Sequence, residues 1–332
     1  MMVFAGRIIV LFLMIFVLDG CEKSKMQRGG NGAGKKISIV TTLFPLYDFT
    51  RNICGDRMDV RLLLPPGVEA HSFEPKPADL VTISRADVFI YTSAAMEPWA
   101  AKLLKGVASS SLLVVDASVN TLQIRAEAAE RHTTGERDHG NHGGMDPHLW
   151  LDFNNAQTMV DTIAGAVIAR DPLHEEFYRV NARRFKEELL KLDDDFKRGL
   201  AGCEKRTFLH GGHYTFGYLA ARYGLEYQSA QAVNPDAEPT PSTIAHLMKL
   251  ISSSGLDYVY SEELVSPRIA EMLARETGVK ILMLHGAHNI SRDDLAGGTT
   301  FIGLMRKNLA NLQTGLRCGA SPTDISVTRP GR

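Results

Sequence analysis

The sequence predicts an α/β protein made of two open α/β lobes joined by a long rigid helix. Three observations carry that expectation. From Ile37 onward, short β-rich apolar runs alternate with helical stretches; near the middle of the chain a pair of helices interrupts the alternation; after Gly202 it resumes with the same rhythm. The chain has 332 residues, 44% of them hydrophobic, which is enough apolar material for two cores and excludes a mainly disordered protein. Lys and Arg number 37 against 38 Asp and Glu, a formal net charge of −1. With no long basic stripe, an electrostatic nucleic-acid binder is also excluded.

In chain order, Arg7 precedes an unbroken apolar run from Ile8 to Leu18, followed by Asp19, Gly20 and Cys21. This reads as an export signal over residues 1–20, since a membrane span needs about 20 apolar residues. Leu18-Asp19-Gly20-Cys21 resembles a bacterial lipoprotein box, with Asp19 in place of the usual small or apolar residue. It implies lipidation of Cys21. Residues 21–36 are polar and Gly-rich and read as a flexible tether.

The first lobe is expected over residues 37–152. ISIVTTLF, DVRLLL, VFIYT and SLLVVD read as strands, with LYDFTRNI, PADLVTIS and PWAAKLLK as the helices between them. Residues 117–147 form a polar, His-rich loop that is too long for a simple connection. Residues 153–202 read as a helical linker, Asn154–Arg170 and Leu173–Leu200, divided by Asp171-Pro172. The second of these carries Phe177, Val180, Phe185, Leu189, Leu192 and Phe196 as its apolar face. The second lobe, 203–317, repeats the alternation: RTFLH, LEYQSA, DYVYS and VKILML as strands, then a closing helix from Thr300 to Leu316. The tail 318–332 has the composition of disordered chain.

Four Cys are too few for a disulfide scaffold, and no CxxC pair marks a zinc ribbon or redox site. Cys54 reads as a small core hydrophobe. Cys203 and Cys318 bracket the second lobe and an exported protein could join them, but sequence does not set their separation.

The 11 His are the more informative resource. His71, His148, His213 and His285 all fall beyond the carboxyl ends of predicted strands, where open α/β lobes place ligands. A cleft between the lobes could gather all four. Imidazole nitrogen in fours suits zinc, a borderline-soft ion that favours tetrahedral coordination. His132, His139 and His142 in the polar loop, and His288 three residues beyond His285, are possible auxiliary ligands. His210 ends a strand and reads as packed. Four neutral imidazoles would leave a +2 charge uncompensated, so a carboxylate is expected just behind them, with Glu262 and Glu263 after DYVY as the candidates.

The motifs G-V-E-A-H-S-F-E-P-K-P-A-D-L around His71, A-D-V-F-I-Y followed by M-E-P-W, D-P-H-L-W-L around His148, H-Y-T-F-G-Y-L-A-A-R-Y-G-L from His213 and T-T-F-I-G-L-M-R-K-N-L-A-N-L resemble the zinc/manganese class of solute-binding proteins of bacterial metal ABC transporters, over about Ile37 to Leu316. The resemblance implies a metal held between two lobes and handed to a membrane permease. His71, His148 and His213 match the first three ligands of that class, while its usual fourth ligand, an Asp, is replaced here by His285. His213 stands where manganese binders commonly carry a carboxylate, and the His-rich insertion is a zinc-importer trait.

The expected function is therefore a zinc-binding receptor, lipid-anchored in the cell envelope or periplasm, monomeric and not an enzyme. Zn2+ is its cargo, with Mn2+ or iron as the alternative within the class. A zinc-dependent hydrolase is the rival from another class; four His would close the open position that catalytic zinc keeps, and no HExxH is present. An adhesin-like surface protein is a third reading.

Overall fold

A computed structural model describes residues 36–106, 111–126, 144–233, 238–264 and 266–319. The expected export signal, tether and lipidation site at Cys21 lie outside the described residues, as do His132, His139, His142 and the tail from 320. Among the described residues, no helix is long and apolar enough to cross a membrane.

The first lobe is built on β1 (Ser38–Thr41), β2 (Asp59–Leu62), β3 (Val88–Tyr91) and β4 (Leu113–Asp116), with helices α1 (Phe44–Cys54), α2 (Pro77–Ser84) and α3 (Pro98–Gly106). Its sheet is parallel, in the order β2-β1-β3-β4. Helices α4 (Phe153–Arg170) and α5 (Glu175–Ala201) follow. The second lobe comprises β5 (Thr207–His210), α6 (Gly217–Tyr223), β6 (Glu226–Ser229), α7 (Pro241–Ser254), β7 (Tyr258–Glu262), α8 (Arg268–Thr277), β8 (Lys280–Leu284), α9 (Arg292–Ala296) and α10 (Phe301–Gly315). Its parallel sheet runs β6-β5-β7-β8, the same order as the first. In each sheet the order reverses around the first strand, so the loops after β1, β3, β5 and β7 diverge there and leave a crevice at the carboxyl edge.

The outer face of each sheet is covered by its own helices. Val40, Ile83, Phe89 and Leu103 pack there in the first lobe, and Leu209, Leu247, Ile251, Val259 and Leu273 in the second. The remaining apolar surface of both lobes joins α1, α4, α5 and α10 in one continuous core. Helix α5 spans 27 residues, about 40 Å. It buries Tyr178, Ala182, Phe185, Leu189, Leu192, Phe196 and Leu200, a three-and-four spacing that keeps one stripe inward. Phe177 and Val180, expected on that face, are instead partly exposed. Tyr178 takes the core position and bonds Asp171, while Phe177 lies under the Arg57 guanidinium.

Arg222 on α6 grips Asp193 of α5 with two nitrogens, at 2.7 and 2.6 Å, and reaches Asp152 at the start of α4. Burial would raise the Asp193 carboxyl, but Arg222, Lys197 and Tyr223 hold it down at about 2. Cys203 and Cys318 form a disulfide, so the chain at 318, expected to begin the tail, is fastened to the start of the second lobe. Cys54 is buried and unpaired, and burial pushes its thiol up to about 12.

Candidate metal centre

Four segments beyond the carboxyl ends of β2, β4, β5 and β8 each bring one imidazole to a common point. His71 lies in the loop after β2, His148 after the long connection from β4, His213 three residues beyond β5, and His288 four residues beyond β8. One nitrogen from each lies within 4.8 Å of all the others. The six ring-centroid separations fall between 4.8 and 5.4 Å, so the rings approximate a regular tetrahedron. Nε2 of His148 is 3.3 Å from Nε2 of both His71 and His213. For zinc–nitrogen bonds of about 2.0–2.1 Å, the edge of a tetrahedron is about 3.3–3.4 Å.

His285, expected at the fourth corner, is not in this group. Its backbone is clamped by Asn308 of α10, which takes the His285 N–H at 2.8 Å and donates to its carbonyl at 2.8 Å. Its Nδ1 accepts from the Ala287 N–H and lies 3.2 Å from Glu263. The loop then turns through Ala287, at a left-handed φ of 62°, and brings His288 to the cluster. His210 also stays apart, packed on Phe216 with Nδ1 3.1 Å from the His213 carbonyl.

Carboxylates stand behind three of the four rings. Asp146 lies 2.7 Å from Nδ1 of His148 and also accepts its backbone N–H. Glu262 lies 2.6 Å from Nδ1 of His213, and Glu263 is 3.7 Å from Nδ1 of His288. A carboxylate at Nδ1 fixes the proton there and turns the Nε2 lone pair into the cluster. The hydroxyl of Thr215 lies 2.9 Å from Nε2 of His213 and donates to the His213 carbonyl at 3.3 Å, which leaves the Nε2 lone pair for a cation. Asp146 was legible only as part of the loop composition; the Asp-Pro-His spacing, in which a carboxylate takes the N–H two residues on, was the available signal. Glycines give these groups room: a Cβ at Gly212 would meet Glu262 at 2.1 Å, and one at Gly217 would meet Asp146 at 2.6 Å.

Burial, with the neighbouring imidazoles, pulls His71 down to about 2 and His148 well below the usual range. Burial pulls on His288 too, but Glu263 outweighs it and its pKa is raised. Burial lifts Asp146 to about 7. Glu262 and Glu263 are held below the ordinary range despite burial, chiefly by His213 and His285 respectively. The chemistry is that of a closed, nitrogen-rich cation site with negative charge behind it. Four lone pairs facing one another at these distances repel unless a cation sits among them.

Residues 39–315 match the family described as zinc-uptake complex component A, periplasmic. Zinc-binding protein AdcA of Streptococcus pyogenes is 33% identical over 287 residues, 84% of this chain and 56% of that protein; the chain thus spans about half the length of such relatives. The high-affinity zinc uptake system protein ZnuA of Bacillus subtilis is 32% identical over 307 residues, covering 92% of this chain and 96% of that protein. Among solved structures, the Zn(II)-bound ZnuA-like domain of Streptococcus pneumoniae AdcA superposes with a TM-score of 0.72 at 31% identity, covering 85% of this chain and 99% of that domain.

Proposed function

The chain belongs to the zinc-uptake complex component A family, and from that premise we propose that it is a receptor that captures Zn2+ between its lobes and delivers it to a membrane ABC importer. The observation that carries this reading is the tetrahedron of His71, His148, His213 and His288, whose 3.3 Å nitrogen separations suit zinc. All four imidazoles serve as ligands, with His285 outside the coordination sphere. Asp146, Glu262 and Glu263 orient the rings and offset the charge of an ion stripped of water.

Among the described residues no carboxylate enters the inner cluster, which disfavours manganese, an ion that prefers oxygen. Catalysis has no part in this reading: four protein ligands leave zinc no open position for a substrate or an activated water. The protein works exported and monomeric in the cell envelope, held to the membrane through acylated Cys21 and partnered there by the permease. His132, His139 and His142 gather the ion more loosely than the four-imidazole centre, as auxiliary ligands.

Metal analysis of protein purified without added metal, followed by competition of zinc against manganese, tests the proposal. One tight equivalent of zinc that a large excess of manganese does not displace is expected. Tighter manganese binding, or none of either, would reject it.

A further inference from the structure

The loop that carries His288 belongs by sequence to the second lobe, yet most of its hydrogen bonds go to the first. Its anchorage changes within two residues. His285 is held by Asn308 of α10, and the Gly286 N–H donates to Glu263 at 2.9 Å, both in the second lobe. The Gly286 carbonyl already accepts from Nε1 of Trp150, at 2.8 Å, on the first-lobe side. Beyond the left-handed turn at Ala287, the Phe44 N–H donates to the His288 carbonyl at 3.1 Å, and the Gly67 N–H to the Ile290 carbonyl at 3.0 Å. Asn289, 1% exposed, donates its amide protons to the carbonyls of Pro65 (2.7 Å) and Val68 (2.9 Å), in the loop that leads to His71. Its Oδ1 takes the Ile290 N–H at 2.9 Å.

Resting on the receptor reading above, we infer that Asn289 is a positioning residue that makes His288 travel with the first lobe, so that the imidazoles divide three against one when the lobes part. His71, His148 and His288 stay together, and His213 alone withdraws. Equal division would leave each lobe a weak two-nitrogen site. Three against one leaves an incomplete but still ordered site on one lobe, with one face of the ion exposed to an incoming ligand. The joint lies at Gly286 and Ala287, and a side chain at 286 would force its neighbours to move, since a Cβ there would meet His288 at 2.6 Å and Thr215 at 2.9 Å.

The test compares the full chain with Asn289→Asp, which keeps the shape and the acceptor but loses the donors, and with Trp150→Phe, which removes a different fastening of the same loop. Three readouts are taken: zinc affinity by chelator competition, the visible absorption of the Co2+-loaded protein, and amide exchange at Phe44 and Gly67 in metal-free protein. In N289D, zinc affinity should fall about tenfold or more, the tetrahedral Co2+ bands should weaken, and both amides should exchange faster. In a His288→Ala background N289D should have little further effect on affinity, because Asn289 acts through His288.

Faster exchange with unchanged affinity and Co2+ spectrum would overturn the inference while leaving the receptor reading intact. An equal loss in the H288A background would overturn it as well. If N289D does not fold, W150F decides by the same readouts. Wild-type protein that binds no zinc would refute the receptor reading, and the positioning role with it.

Discussion

The Nε2 atoms of His148 and His213 lie 3.3 Å apart although 65 residues separate them in the chain. Each ring has a carboxylate at its far nitrogen, Asp146 and Glu262 respectively, so both present lone pairs to the same point. The Nε2–Nε2 contact is no hydrogen bond without a proton between the rings, and the arrangement is satisfied by a shared cation.

His288→Ala removes one corner of this tetrahedron, whereas His285→Ala removes a side chain that faces Glu263 and its own loop. Zinc affinity should fall by two orders of magnitude or thereabouts in H288A, following loss of one of four ligands, and by much less in H285A. Chelator competition on the two variants gives the comparison. A damaging H285A beside a silent H288A would require a different loop path.

Asp146→Asn keeps the size of the side chain but weakens the partner that fixes the His148 tautomer. Zinc affinity is expected to drop about 10- to 100-fold, the usual cost of losing a partner just behind a metal ligand. Since Asp146 also accepts the His148 N–H, circular dichroism should be read alongside, to separate loss of ion binding from loss of fold.

At Gly286 an added methyl group would press on His288 (2.6 and 2.7 Å) and on Thr215 (2.9 Å). Gly286→Ala should therefore weaken zinc binding while leaving the disulfide-tied second lobe folded. A crystal structure or a Co2+ spectrum of the variant would show His288 displaced; an unchanged spectrum would mean the loop yields cheaply.

Glu97 is fully buried beneath the loops after β1 and β3, accepting from Thr42 at 2.5 Å and from the N–H groups of Thr92 and Ser93. Burial raises its pKa from 4.5 to about 7 against those hydrogen bonds. Between these values the folded chain keeps a proton that the unfolded chain has lost, so the stability associated with this group is present at low pH and declines as pH rises through the window. The slope is at most about 1.4 kcal/mol per pH unit. Melting of metal-free wild type and Glu97→Gln between pH 4.5 and 7.5 should show the wild type losing ground to the variant as pH rises. A difference independent of pH would place the titration elsewhere.

The alternation of apolar runs was enough to locate the strands and the two long helices, because period and breaker residues such as Pro172 are local properties. It also put His71 and His213 in loops beyond strand ends, which the parallel topology carries to one edge, whereas His148 reaches that edge after the long connection from β4, at the entry to α4. The phase of α5 at its first turn was not legible. Tyr178 and Phe177 are both aromatic, and only the placement of Asp171 and Arg57 decides which one turns inward.

The choice between His285 and His288 was likewise beyond the sequence. The two stand three residues apart in one loop, and either could follow a strand end into a cleft. That choice is made by bonds to distant chain: Asn289 to Pro65, 224 residues away, and Trp150 to Gly286, 136 away. Composition and periodicity fix which segments become strands and helices. The path of a loop between two lobes is fixed by the partners its peptide groups find when the lobes meet, and those exist only in the folded molecule.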